Sequence, residues 1–290
     1  MSIAAVADGD SVPVGVVLVV LFAAGLHASW NAITHALSDL LVGFALIGAG
    51  YAVCAGVVVL AAPMPARASW PFLVASAALH VVYNLLLMRC YRLGDFSQVY
   101  PLSRGSSPWL VAITAAAFAG EALLPVRLLG VVVISVGLAC LVFAGGVPSR
   151  AQLPAITAAL LTGVTIAAYT TIDGLGVRQA QTAAGYTGWL FLLQGPVLPL
   201  AALAIRGRRL WAQTRPHLTA GLTGGVLSLA AYALVLWAQT RGTLAPIAAL
   251  RETSVVIGAA IGALIFHERF GRWRIISAVL VTAGVILISL

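Results

Sequence analysis

Apolar runs of about twenty residues follow one another along almost the whole chain, broken only at Pro, Gly, Arg and Asp, and a helix of that length crosses the hydrocarbon of a bilayer. Ten such runs can be drawn: Pro13–Ala36, Leu41–Ala62, Trp70–Met88, Phe96–Ala119, Leu124–Gly145, Leu153–Val177, Thr182–Ile205, Pro216–Trp237, Thr243–Phe266 and Trp273–Leu290. Hydrocarbon offers the backbone no hydrogen bonds, so at these lengths and with these short loops only helices fit. The expected fold class is an all-α membrane protein of ten transmembrane helices, multi-pass and integral to the plasma (inner) membrane. Only 8% of the 290 residues are charged, where a soluble domain carries about a quarter, which excludes a water-soluble enzyme or binding module.

Lysine is absent and the formal net charge is +8. The arginines sit mostly between apolar runs, where orientation and lipid headgroups account for them, and no nucleic-acid partner is expected. An even number of spans puts both termini on one side. Loops on that side hold Arg67, Arg127, Arg178 and Arg241; those opposite hold Arg89, Arg92, Arg150, Arg206, Arg208, Arg209, Arg215, Arg269, Arg272 and Arg274. The positive-inside rule then places the termini outside the cytoplasm. Cys54, Cys90 and Cys140 lie in or beside apolar runs without CxxC spacing, so packing is their expected role. Residues 1–12 have no basic region and precede a run too long for a signal peptide; they read as a tail before the first span.

The segment Tyr91–Phe143 has a weaker copy from Gln239 to Leu290. Gly94 falls on Gly242, Arg104 on Arg251, Glu121 on Glu268, Arg127 on Arg274 and Gly137 on Gly284, at a shift of 147 or 148 residues. Arg, Glu and Gly are the positions hydropathy drives least, so the agreement reads as an internal duplication. The joint is Gly145–Arg150, with one repeat in residues 1–145 and the other in 153–290. Five crossings per repeat turn the second copy upside down, and such an inverted repeat places its site at the interface of the copies near the midplane.

Polar groups inside spans need a partner or a cavity, and each is a candidate for function. Arg104 lies about eight residues into span 4, with Tyr100 and Ser107 on its face and Pro101 loosening the helix. Its guanidinium could hold a solute carboxylate or phosphate, or be locked to Glu252 as structural glue. Arg251 and Glu252 occupy the matching place in span 9. Neighbours on a helix point about 100° apart, so they are not expected to satisfy each other; Glu252 crossed with Arg104 would leave Arg251 for a ligand. His80, Tyr83 and Asn84 share a face of span 3, and His27, Asn31 and Thr34 share one of span 1 with Trp30 beside them. Such faces suit either a wet cavity with an aromatic wall or interhelical hydrogen bonding. Tyr169 and Asp173 in span 6, Gln194 in span 7, and Tyr232 and Gln239 around span 8 are weaker cases. Glu121 and Glu268 stand just before helices and read as caps or hinges. Gly258 and Gly262 form a GxxxG suited to close helix packing. No nucleotide-binding loop, metal motif or cofactor motif is present.

Two five-span halves, the sequence GDFSQVYPLSRG at Gly94–Gly105, and Gly120-Glu121 followed by a span with Gly130 and Gly137, echoed at Glu268 and Gly284, resemble the EamA-type transporters of the drug/metabolite transporter superfamily. The resemblance implies a ten-helix basket whose central cavity is lined by spans 1, 3, 4, 6, 8 and 9, moving small metabolites by alternating access, with spans 5 and 10 peripheral. It also implies termini in the cytoplasm, against the arginine count. His267-Glu268 departs from the first copy's Gly120-Glu121.

The function so implied is a secondary carrier of a small organic metabolite, an exporter of amino-acid-like or related solutes. Multidrug or cation efflux and metabolite uptake are alternatives on the same fold. An intramembrane enzyme would need a nucleophile and base within reach; Ser106 and Ser107 precede Pro108 without a GxSxG setting. A pure scaffold has little reason to hold Arg104, Arg251 and His80 at mid-membrane depth. The expected partners are the solute and the lipid bilayer; a monomer suffices to form the cavity and a homodimer is compatible with it.

Overall fold

Proline, serine and aspartate punctuate the helices where local chemistry requires. The computed structural model describes residues 12–35, 39–94, 96–141, 150–265 and 271–289, all of whose regular structure is helical. The helices are α1 (Val14–His35), α2 (Leu40–Ala61), α3 (Trp70–Leu93), α4 (Phe96–Gly105), α5 (Ser107–Thr114), α6 (Pro125–Cys140), α7 (Leu153–Gln179), α8 (Ala183–Gln194), α9 (Val197–Arg206), α10 (Arg209–Thr214), α11 (Leu218–Gln239), α12 (Leu244–Arg251), α13 (Ser254–Ile265) and α14 (Arg272–Ser289). Asp39 caps α2 by accepting the amides of Leu41 and Val42, and Thr182 caps α8 through the amide of Gly185. Prolines occupy the first turns of α3, α6 and α7, where their missing N–H costs nothing.

Six helical stretches among the described residues are long and apolar enough to cross a membrane, with Pro125–Cys140 and Ile275–Ser289 shorter apolar helices. Three expected spans are broken: span 7 divides at Gly195-Pro196 into α8 and α9, and spans 4 and 9 divide beside charged residues. Span 4 divides at Ser106 into α4 and α5, with Pro101 inside α4 and Pro108 opening α5. Span 9 divides at Glu252–Thr253 into α12 and α13. The breaks in spans 4 and 9 are stitched in the same way: the Ser106 hydroxyl donates to the Ser103 carbonyl at 3.1 Å, and the Thr253 hydroxyl to the Leu250 carbonyl at 2.7 Å. After α5 a π turn runs from Ala115 to Ala119 and stops at Gly120, whose φ of 66° is a left-handed conformation that a side chain would strain.

Helix α7 lies along α3 and α1 along α11, while α2 packs on α11, α8 and α9, and α14 runs along α6. Backbones approach closely where glycines face each other. Gly50 of α2 meets Gly221 and Gly225 of α11, and Gly130 of α6 meets Gly284 of α14. The expected close contact at Gly258 is not made: a Cβ there would meet nothing within 4 Å. That glycine faces open space, because α13 turns another side to α1. The surroundings of Gly262 lie outside the described residues, as do the joint at 142–149 and the pair His267-Glu268.

Burial is inverted relative to a soluble protein. Large apolar side chains point outward, among them Phe22, Val57, Leu60, Phe118, Leu200 and Val279, while Arg104, Asp173 and Glu252 are at most 1% exposed. An apolar exterior over a charged interior is stable only in lipid. Cys90 is buried, Cys54 and Cys140 are half-buried, and all three are free thiols.

Candidate functional site

The breaks in spans 4 and 9 bring three charges together. Arg104 ends α4 and its Nε lies 2.5 Å from Glu252 Oε2; Arg251 ends α12, and its Nη2 and Nε lie 3.0 and 3.2 Å from Glu252 Oε1. One carboxylate thus bridges two guanidiniums, with every member at most 3% exposed. The crossed pair Arg104–Glu252 forms as the spacing suggested. The expectation that Arg251 would be left free is corrected. The backbone is still helical at Glu252 (φ −70°, ψ −11°), so the two residues leave the helix about 100° apart, and it is the length of the arginine side chain that lets its guanidinium fold back onto the neighbouring carboxylate. Arg251 also reaches Thr170 Oγ1 of α7 at 3.4 Å, while Arg104 Nη2 lies 3.2 Å from His27 Nε2 of α1. The Trp30 indole N–H donates to His27 Nδ1 at 3.2 Å, so both ring nitrogens face donors, and a neutral imidazole can accept from only one.

An aromatic wall stands beside this cluster. His80 stacks on Tyr169 with centroids 4.0 Å apart, Tyr83 and Tyr232 meet Tyr169 edge-on, and Phe191 extends the wall past Tyr232 to Tyr51. The Arg251 guanidinium lies 5.9 Å from the Tyr169 ring, and Arg104 the same distance from Tyr100. His80 is held by Ser76, one turn earlier, through the hydroxyl at 3.2 Å and the carbonyl at 3.0 Å from Nδ1. Asp173 accepts the Tyr186 hydroxyl at 3.0 Å and the Tyr232 hydroxyl at 2.5 Å.

Of the residues singled out from sequence, Arg104, Arg251, Glu252, Tyr100, His80, Tyr83, Trp30, Tyr169 and Tyr232 therefore fall in one connected region. Asn31 instead bonds its own helix through the His27 carbonyl at 2.8 Å, and Asn84 is half-buried with no side-chain hydrogen bond to a described residue. Gln239 reaches the Thr170 carbonyl at 3.5 Å. Sequence reasoning missed Ser76, Thr170, Tyr186 and Phe191. Ser76 was within reach, four residues before His80 on the same helix face; Tyr186 and Phe191 carry no such local signal.

Glu121 plays a different part from the expected cap of its own helix. It accepts the Leu244 amide at 2.7 Å, at the start of α12, and its other oxygen meets Arg178 at 2.7 Å. Arg178 in turn donates to the carbonyls of Gln239 and Gly242, each at 2.8 Å. The Thr243 hydroxyl makes no capping bond, so Glu121 serves α12 as its cap across the two halves. Glu121→Ala should therefore cost about 1–2 kcal/mol, read as a lower midpoint of thermal unfolding in detergent, whereas Thr243→Ala should change it little. Equal effects would contradict the assignment.

The second half of the chain resembles a known family. Residues 153–290 match the model of the EamA-like transporter family. Residues 153–290, just under half of the chain, are thus similar to that family. The matched half carries Arg251, Glu252, Tyr169 and Tyr232, and the six long apolar helices among the described residues are those of a multi-pass membrane protein. A solved structure described only as the crystal structure of a protein is 18% identical and superposes with a TM-score of 0.69 over 94% of each chain, a likeness that speaks for the fold alone. No curated protein matches.

Proposed function

We propose that the protein is a secondary carrier of a small organic metabolite, an exporter of amino-acid-like or related solutes bearing a carboxylate or phosphate, working by alternating access in the inner (plasma) membrane. The observation that carries this reading is the buried Arg104–Glu252–Arg251 cluster. It draws one arginine from each half, lies at the breaks within spans 4 and 9, and stands beside the wall of His80, Tyr83, Tyr169 and Tyr232. Two guanidiniums on one carboxylate leave a surplus positive charge, which an anionic solute group would match, while the rings offer its apolar part a surface.

The reading includes ten crossings arranged as two inverted five-helix repeats, residues 1–145 and 153–290. Reciprocal contacts support it. Under a shift of 147 residues Gly137 becomes Gly284 and Gly130 becomes Ser277; correspondingly Gly130 meets Gly284, and Gly137 meets Ser277. The α6–α14 contact thus maps onto itself when the halves are exchanged, as a pseudo-two-fold axis requires. The stitched breaks obey the same shift, Ser106 to Ser103 becoming Thr253 to Leu250. Helix α3 on α7 has its counterpart in α11 on α1. The arginine count favours the end with Glu121 and Arg178 outside the cytoplasm, against the orientation that the family resemblance implies.

The test is untargeted mass spectrometry of medium and extract from cells expressing the wild type or Arg104→Ala at matched membrane levels. A metabolite enriched in the medium by the wild type alone is the expected result and identifies the solute. Depletion from the medium would make the carrier an importer, and no change in any metabolite would reject export of ordinary metabolites.

A further inference from the structure

Four carboxylates have described side chains, and they divide sharply. Asp39 meets Arg206, Glu121 meets Arg178, and Glu252 meets both Arg104 and Arg251. Asp173, fully buried in α7, rests among the described residues on neutral hydroxyls, those of Tyr186, Tyr232 and Ser76. Hydroxyls stabilise an anion but bring it no counter-charge, and a charge buried among neutral groups is the state that a low-dielectric interior penalises most. A proton removes that charge. The geometry accepts it without breaking contacts, because a tyrosine hydroxyl can turn from donor to acceptor while the other continues to donate.

The charged neighbours give this proton a consequence. Helix α3 presents His80 and Tyr83 towards this part of α7, α4 presents Tyr100 and Arg104, α8 Tyr186 and α11 Tyr232; α12 ends in Arg251, with Glu252 in the turn beyond it. Helix α5 offers the neutral Thr114, bonded to Thr171 at 2.6 Å. On α7 itself Tyr169 lies one turn away, and Arg178 is engaged by Glu121. The two arginines and Glu252 sum to one positive charge, which ionised Asp173 balances. Thr170, which Arg251 reaches at 3.4 Å, is one helical turn from Asp173, so the carboxyl and the guanidinium share one side of α7.

We propose that Asp173 is a proton-binding site whose occupancy is linked to the charge at Arg251. An anionic solute group that neutralises Arg251 strengthens proton binding at Asp173, and the proton strengthens binding of the anion by the same factor. This builds on the carrier reading, to which it adds a coupling ion: solute and proton occupy the site together, and the net charge of the buried set stays constant through the cycle.

The experiment is infrared difference spectroscopy of the purified full-length protein between neutral and acidic pH, in light and heavy water. A carboxylic-acid carbonyl band that shifts in heavy water and is missing from Asp173→Asn is the expected result; superimposable wild-type and Asp173→Asn spectra overturn the proposal. Tyr232→Phe, which removes one hydroxyl from the carboxyl, should move the same band to higher frequency, and an unmoved band also overturns it. In Arg251→Gln the band should develop at a pH about one unit higher, equivalent to about tenfold stronger proton binding. An unchanged onset there overturns the linkage. The readout needs no solute, so a band that fails to appear speaks against Asp173, while an empty export assay speaks against the carrier reading.

Discussion

Glu252→Ala should be the most damaging single substitution in the protein, lowering stability by about 3–5 kcal/mol, because it strands two guanidiniums that are at most 3% exposed. Neither arginine has another carboxylate within ion-pair distance among the described residues; Arg104 would keep His27 and the Tyr100 ring, and Arg251 a long contact to Thr170 and the Tyr169 ring. Arg104→Ala should cost less, since it leaves Arg251 and Glu252 as a neutral pair. The measurement is the midpoint of thermal unfolding in detergent together with the amount recovered from membranes. If Arg104→Ala proved as damaging as Glu252→Ala, the carboxylate would not be the shared counter-ion of the cluster. The double variant Arg104→Ala/Glu252→Ala tests the same point from the other side: removing one positive charge with the negative one should recover part of the loss caused by Glu252→Ala.

The second large effect is steric. A Cβ added at Gly225 of α11 would fall on the backbone of Gly50 and on the Tyr51 amide of α2. Backbone cannot swing aside as a side chain can, so Gly225→Leu has to push the two helices apart along a contact that also includes Gly221. The expected cost is about 3 kcal/mol, and because α2 also packs on α8 and α9, the displacement should reach the wall residues Tyr51 and Phe191. Gly258→Ala is the matched control. It faces open space, and alanine in a helix interior is favoured over glycine by about 0.5–1 kcal/mol, so its unfolding midpoint should stay level or rise. A tolerated Gly225→Leu would mean that α2 and α11 are not seated on each other as the glycines indicate.

Much of the candidate site was legible because the sequence places costly residues where lipid would forbid them. Arg104 and Arg251 stand out by hydropathy alone, and the faces His80-Tyr83 and Tyr169-Asp173 follow from helical spacing. The helix breaks were half legible: Pro101 signals weakness in span 4, but the stop at Arg251 has no comparable marker, and helical spacing does not register the reach that lets Arg251 pair with its own neighbour. Glu121 shows the same limit. Its position before a helix suggested a cap, yet the helix it caps begins at Leu244, in the other half of the chain.

Local physics accounts for what the sequence determined by itself: apolar length sets which segments are helices in lipid, proline and glycine set where several of them bend, and the price of burying charge marks the residues worth watching. Only the tertiary structure decided which helix faces meet. That choice rests on glycine contacts between segments far apart in sequence, such as Gly50 with Gly225 and Gly130 with Gly284, and it sets the rotation of every helix about its own axis. The rotations in turn put Tyr186 and Tyr232 on Asp173, and Arg104 and Arg251 on one carboxylate. Pairing over such distances depends on how backbones pack, and no single helix carries that information.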